Sequence, residues 1–313
     1  MAFLTDGAGR GLAGLERAAW LSRIEDIVLD HGEFEPLGPD HSAVFLPGGN
    51  RLIVTFETID HILESPDAEP LGFRYTRKHG WSSLSLFSDG KSWFRHEAIY
   101  QSMDRMIDEG IFESFEQVVF FGAGPCGYAA AAYSVAAPGS TVIAVRPQAT
   151  LDPTLAGWDD RFRDSRHQDF TSRYGYAPEM IEGADKVFVL YDPHNRRDAM
   201  HAALFHKPQT ELLACPMNLL RTDKDIDAIG LLDPMIEAAM SGNLTRNLFY
   251  ALYRHRRFHL PYLRGLVLML EARGKHDLAA RVCGFGQREH PHKFFDERLA
   301  KASETAPGLT AQT

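Results

Sequence analysis

The chain has 313 residues, 44% hydrophobic and 24% charged, enough apolar content to bury a substantial core and too much for a disordered chain. The net charge of −9 speaks against general nucleic-acid binding, which needs a basic face. No apolar run reaches the roughly 18–20 residues that span a bilayer, and Met1–Asp6 has no basic and apolar signal pattern, so the expectation is a cytoplasmic protein with no membrane span. Three cysteines, Cys126, Cys215 and Cys283, lie far apart, which fits a reducing compartment better than a disulfide scaffold.

In chain order, residues 12–31 place Leu12, Leu15, Ala18, Ala19, Leu21, Ile24 and Ile27 at helical spacing before His31-Gly32. Strand-like runs follow at 43–46, 52–56 and 84–87, then a helical pattern from His96 to Ile107 with Ile99, Met103, Met106 and Ile107. Four more apolar runs, at 118–121, 141–145, 187–190 and 212–214, are each separated by enough chain for a helix. Such alternation predicts an α/β fold with a doubly wound, mostly parallel sheet. After Cys215 only helical patterns remain, over 223–301, broken at Gly242, Pro261, Gly274 and Pro291. The expected division is an α/β body over 1–242 with its N-terminal helix, a helical appendage over 243–304, and a disordered tail over 305–313.

The appendage holds an uneven share of the charge. From Asn243 onward there are twelve Lys and Arg against six Asp and Glu, with Arg254, Arg256 and Arg257 beside His255 and His259. This predicts a solvated basic helix face, with an anionic partner, a membrane headgroup or a protein partner as the sharper alternative. Leu263, Leu266, Val267, Leu270, Gly274, Ala279, Ala280 and Val282 resemble one helix–turn–helix repeat of the tetratricopeptide kind. A lone repeat cannot bury its own face, so it should pack on the body or on a partner.

The most informative stretch is Val118-Val119-Phe120-Phe121-Gly122-Ala123-Gly124-Pro125-Cys126-Gly127-Tyr128, running into four alanines. It reads as a buried strand, a sharp glycine turn and a helix opened by proline. Gly122, Gly124 and Gly127 match a dinucleotide fingerprint, and Arg146, ending the next strand, would suit the 2′-phosphate of NADP. That makes a nucleotide-dependent oxidoreductase, using NADP or FAD, the alternative function.

A second pattern extends further. Leu52–Phe56, His79-Gly80-Trp81, Lys91-Ser92-Trp93-Phe94, the glycine turn, Arg146-Pro147-Gln148, Leu151-Asp152-Pro153, Trp158–Phe162 and Tyr191-Asp192-Pro193 stand in series over roughly residues 50–235. This series resembles the acyltransferase-like α/β hydrolases associated with bacterial glycan modification and accessory secretion. The resemblance implies an α/β-hydrolase-like sheet and a Gly-x-Ser-x-Gly nucleophile elbow. Here Gly124 stands at the serine position and Pro125, with no N–H, at the expected oxyanion donor. Asp192 falls where the acid partner is expected, whereas no histidine occurs over 216–220. His201 and His206 read as surface or helix-end residues. Cys126 is a second nucleophile candidate, although its place two residues past the apex suits packing. A cysteine-dependent sulfonucleotide reductase would need Glu-Cys-Gly-x-His and Ser-Gly-Gly motifs, which the sequence lacks. No metal-ligand spacing appears. Trp81, Trp93 and Trp158 are candidates either to line a cleft or to cover the sheet.

The sequence therefore predicts a catalytically degenerate α/β-hydrolase-like protein, with a binding or accessory role in bacterial surface-glycan metabolism. No cofactor is expected, and its ligand would be an unknown small or glycan-related molecule.

Overall fold

The computed structural model describes residues 11–90, 92–217 and 222–305. Lys91, most of the stretch where a triad histidine was sought, and the tail beyond Thr305 lie outside the described residues.

Helix α1 (Arg17–Val28) is shorter than its pattern predicts, and its buried residues are Trp20, Ile24, Ile27 and Val28. Ala18 and Ala19, expected on the buried face, are exposed. Trp20 fixes the helix rotation: its ring meets Phe87 edge-on at 5.5 Å and its Nε1 donates to the Ala68 carbonyl at 2.8 Å. A ring of this area outweighs two methyl groups in deciding which face is buried.

One sheet of eight strands organises the chain. In sequence they are β1 (Glu33–Pro36), β2 (His41–Leu46), β3 (Arg51–Thr58), β4 (Ser82–Ser88), β5 (Gln117–Ala123), β6 (Thr141–Val145), β7 (Lys186–Tyr191) and β8 (Thr210–Ala214). In space the order is β1-β2-β4-β3-β5-β6-β7-β8. The pairs β1–β2 and β2–β4 are antiparallel, and every pair from β4 to β8 is parallel. The architecture is mixed α/β, with a sharp strand-to-helix turn where β5 meets α5 (Pro125–Tyr133).

Alternate residues of the central strands serve opposite faces. Leu52, Val54, Val118, Phe120, Val142, Ala144, Val187 and Val189 join one apolar cluster with Tyr128, Ala129 and Tyr133 of α5. Ile53, Val119, Phe121, Ile143, Val145, Phe188 and Leu190 join the other, with α9 (Asp223–Ala228) and α10 (Leu232–Met240). Burial on both faces explains why these strands read as continuous apolar runs rather than alternating ones. Leu244, Phe249 and Tyr253, beyond the expected boundary at 242, also belong to this second cluster.

Three further helices, α12 (Leu260–Ala272), α13 (His276–Glu289) and α14 (Lys293–Thr305), gather around Leu263, Val267, Ala279, Cys283 and Phe295. Tyr262 packs against this small core and against the sheet's second cluster. Arg256 lies over the rings of Tyr253 (4.1 Å) and Tyr262 (5.4 Å), so part of the basic cluster is spent on cation–π contact between the two layers. Among the described residues, no helix is long and apolar enough to cross a membrane.

Candidate functional site

The carboxyl ends of parallel strands are where open α/β sheets bind ligands. A cleft of about 450 Å³ opens there, lined from β3 by Phe56, Glu57 and Thr58, from β5 by Phe121 and Ala123, and from the turn by Gly124, Pro125 and Cys126.

Gly124 has φ 62° and ψ −124°, a backbone that a side chain strains. A Cβ placed on it would meet no atom within 4 Å, because it would project into the cleft. The turn is held from behind: Gly124 N donates to Val145 O at 2.8 Å. A Cβ on Gly122 would lie 2.1 Å from Cys126 O, so glycine is required there by close backbone approach. The turn is thus tightly held, with no side chain at Gly124 and no N–H on Pro125.

Cys126 lines the cleft but is only 6% exposed, and burial, with the nearby Glu57 and Asp223, pushes its thiol far up. Asp192 is not among the lining residues. It is buried just past β7, where its Oδ1 accepts the His194 amide at 2.8 Å. The two candidates for a nucleophile and its acid are therefore not brought together in this cleft. Of the other fingerprint residues, Gly124 and Arg146 reach the cleft, and Gly122 and Gly127 lie behind it.

Several groups that the sequence pattern did not single out converge here. Glu57, at the end of β3, is 7% exposed. Its Oε1 accepts from Thr55 Oγ1 at 2.9 Å, and the Leu71 amide reaches both carboxyl oxygens at 3.1–3.2 Å. Burial, and then the charge of Asp223, push its carboxyl up to about 8 despite those bonds. His61, on α2 (Ile59–Leu63), donates from Nε2 to Asp223 Oδ1 at 2.5 Å, across 162 residues of sequence. A charged residue closing a buried strand was the one available signal for Glu57. Nothing local announces His61 and Asp223.

The opposite wall is cationic. Arg146 follows β6 at φ 48°, its amide held by Leu190 O at 2.7 Å, and its Nε donates to Asp198 Oδ2 at 2.7 Å. Arg161 donates to Asp198 Oδ1 through one terminal nitrogen and to Asp159 through Nε and the other. Asp159 and Asp198 are buried beneath both arginines.

His201, expected at the surface, is fully buried, and its Nε2 lies 3.0 Å from Asp159 Oδ2. The reason is α8 (Arg196–Leu204), whose inner face carries Asp198, His201 and Ala202 against the sheet layer. His206, past the end of α8, is exposed as expected.

None of the three candidate tryptophans lines the cleft. Trp93 supports it from behind, donating to Gln148 Oε1 at 3.1 Å and meeting Phe162 edge-on at 5.1 Å. Trp81 stacks on His79 at 4.5 Å, and Trp158 covers His201 at 4.5 Å. Among the described residues, no group of three or more His, Cys, Asp or Glu is placed to hold a metal ion.

No protein-family profile matches the chain, and no curated protein matches it. Among solved structures, a mutant capsule O-acetyltransferase of Neisseria meningitidis serogroup A, in complex with CoA, is similar at a TM-score of 0.41 and 11% identity, covering 66% of this chain and 94% of its own. A hyperthermophilic esterase from the archaeon Pyrobaculum calidifontis is similar at 0.39 and 12% identity, covering 80% and 96%. Est1E from Butyrivibrio proteoclasticus is similar at 0.43 and 9% identity, covering 66% and 98%.

Proposed function

We propose that this chain is an α/β-hydrolase-like protein whose elbow no longer performs acyl transfer and whose cleft serves to bind a small molecule. The observation that carries this reading is Gly124, at the apex of the β5–α5 turn, lining with Pro125 a cleft of about 450 Å³. Acyl transfer needs an attacking atom and a donor for the oxyanion. A glycine supplies no attacking atom, and a proline supplies no N–H. Cys126 offers little thiolate, because its burial favours the neutral thiol. A glycan-related ligand and an accessory role are supported only by the ordered series of sequence words between residues 50 and 235.

The test is turnover of short acyl esters, such as p-nitrophenyl acetate, by purified protein. No rate above buffer is expected. Turnover that disappears in Asp192→Asn would overturn the reading, because it would place a working triad elsewhere in the chain.

The competing reading is a nucleotide-dependent oxidoreductase. It is favoured by Arg146 and Gly124 lining one cleft, and weakened because Pro125 removes a donor that a pyrophosphate would use at the helix start. An absorbance spectrum of fresh protein over about 300–500 nm, with an NADPH titration, separates the two readings.

A further inference from the structure

The charges around the cleft are sorted by strand. The sheet places β5 between β3 and β6. Among the described lining residues, the β3 side and α9 carry the carboxyl groups of Asp60, Glu64 and Asp223, with Glu57 held neutral by burial, and the chain following β6 carries Arg146 and Arg161. Gly124, with no side chain, lies between the two walls at the end of β5. Adjacent strands are about 4.8 Å apart, so the two charged walls stand about 10 Å apart at the strand ends.

The charged groups are not equally engaged by the protein. Asp60 is paired with Arg17, and Glu64 lies 3.6 Å from Lys224. Asp223 has His61 as its ion-pair partner, at 2.5 Å. Arg161 is fully occupied by Asp159 and Asp198. Arg146 gives only Nε to Asp198, so among the described residues its two terminal nitrogens, the bidentate edge of the guanidinium, meet no protein acceptor. That edge suits a planar oxyanion. The buried Asp198, shared with Arg161, fixes the direction in which Arg146 points. On the other wall, among the described residues Asp223 has no ion-pair partner but the imidazole of His61, and that side of the cleft suits a cation.

We propose that the cleft takes a small zwitterion, its oxyanion held by the terminal nitrogens of Arg146 and its ammonium group on the Asp223 side. This rests on the reading of the cleft as a binding site. The separation of the walls favours a ligand whose charges are several bonds apart, and the missing side chain at Gly124 leaves room for the connecting atoms. Arg161 acts as a positioning residue, through Asp198, rather than as a contact.

The experiment is calorimetric titration of the full chain at constant ionic strength with 4-aminobutyrate and with phosphoethanolamine, which separate a carboxylate from a phosphate end. Butyrate, butylammonium and inorganic phosphate serve as single-ended probes. At least one zwitterion is expected to bind about tenfold or more tightly than the single-ended probes. Arg146→Gln and Asp223→Asn should each reduce it to the level of a single-ended probe, whereas Arg273→Gln, an exposed position away from the cleft, should leave it unchanged. If Arg146→Gln melts far below wild type, Arg146→Lys replaces it, with a smaller expected loss because the bidentate edge is gone and the charge remains. The proposal is overturned if an anion alone binds as tightly as the better zwitterion, if the advantage survives both cleft variants, or if no probe binds at about 10 mM. Ester turnover by the wild type would instead sink the non-acylating reading, so the two failures are distinguishable.

Discussion

His201 and Asp159 form a fully buried pair whose proton is assigned by the backbone. The Ala149 amide donates to His201 Nδ1 at 3.1 Å, so Nδ1 is an acceptor and the ring's proton lies on Nε2, directed at Asp159 Oδ2 at 3.0 Å. Asp159 thereby takes bonds from His201, from Arg161 and from the Arg161 amide. Burial alone would raise its carboxyl, but these bonds outweigh it and hold Asp159 well below the usual carboxylate range.

Asp159→Ala should therefore be costly, since it leaves Arg161 short of a buried counter-charge and His201 without an acceptor. A loss of about 3–5 kcal/mol is expected in urea unfolding at pH 7. A depressed carboxylate adds stability above its unfolded value and loses it as the pH falls through the folded one. The stability of Asp159→Asn should accordingly fall less steeply than that of wild type below about pH 4.

Glu57 has the opposite sign. The folded state holds its proton up to about pH 8, whereas the unfolded chain releases it near 4.5. Rising pH between those values favours the unfolded chain, by up to about 5 kcal/mol from this group, with no further change above. Glu57→Gln, which stays neutral, should melt above wild type at pH 9, and the gap should close toward pH 5. A constant gap across that range would place the ionisation elsewhere.

At the glycine turn, Gly124→Ser adds a side chain to open space but at φ 62°, so the expected cost is about 1–3 kcal/mol with the fold retained. It should remain inert toward esters, because Pro125 still lacks an N–H. Gly127→Leu should not fold, since even its Cβ would lie 2.9 Å from Val145 O. Circular dichroism melts of the two variants check both outcomes.

Cys126, Cys215 and Cys283 are all buried, with thiols raised by burial. Iodoacetamide at pH 8 should label the native protein at least ~100-fold more slowly than the urea-unfolded chain. Fast stoichiometric labelling of Cys126 in the native state would restore it as a nucleophile candidate.

Local pattern determined a good part of this molecule. The run from Val118 to Ala132 specifies strand, turn and helix because glycine and proline act on the dihedrals of their own residues, whatever surrounds them. The apolar runs 52–56, 118–121, 141–145 and 187–190 locate the central strands because burial on both faces leaves no polar alternation. Partnership was not legible in this way. Glu57, His61, Arg146, Arg161 and Asp223 share one cleft because the sheet order sets β5 between β3 and β6 and α9 brings Asp223 to His61. His201 is buried rather than exposed because α8 turns one face to that layer, and Trp20 displaces Ala18 and Ala19 because Phe87 and Ala68 receive its ring. A single strand or helix states which residues face a core. Which charges meet across the core depends on non-local strand pairing, and only the tertiary structure decided that.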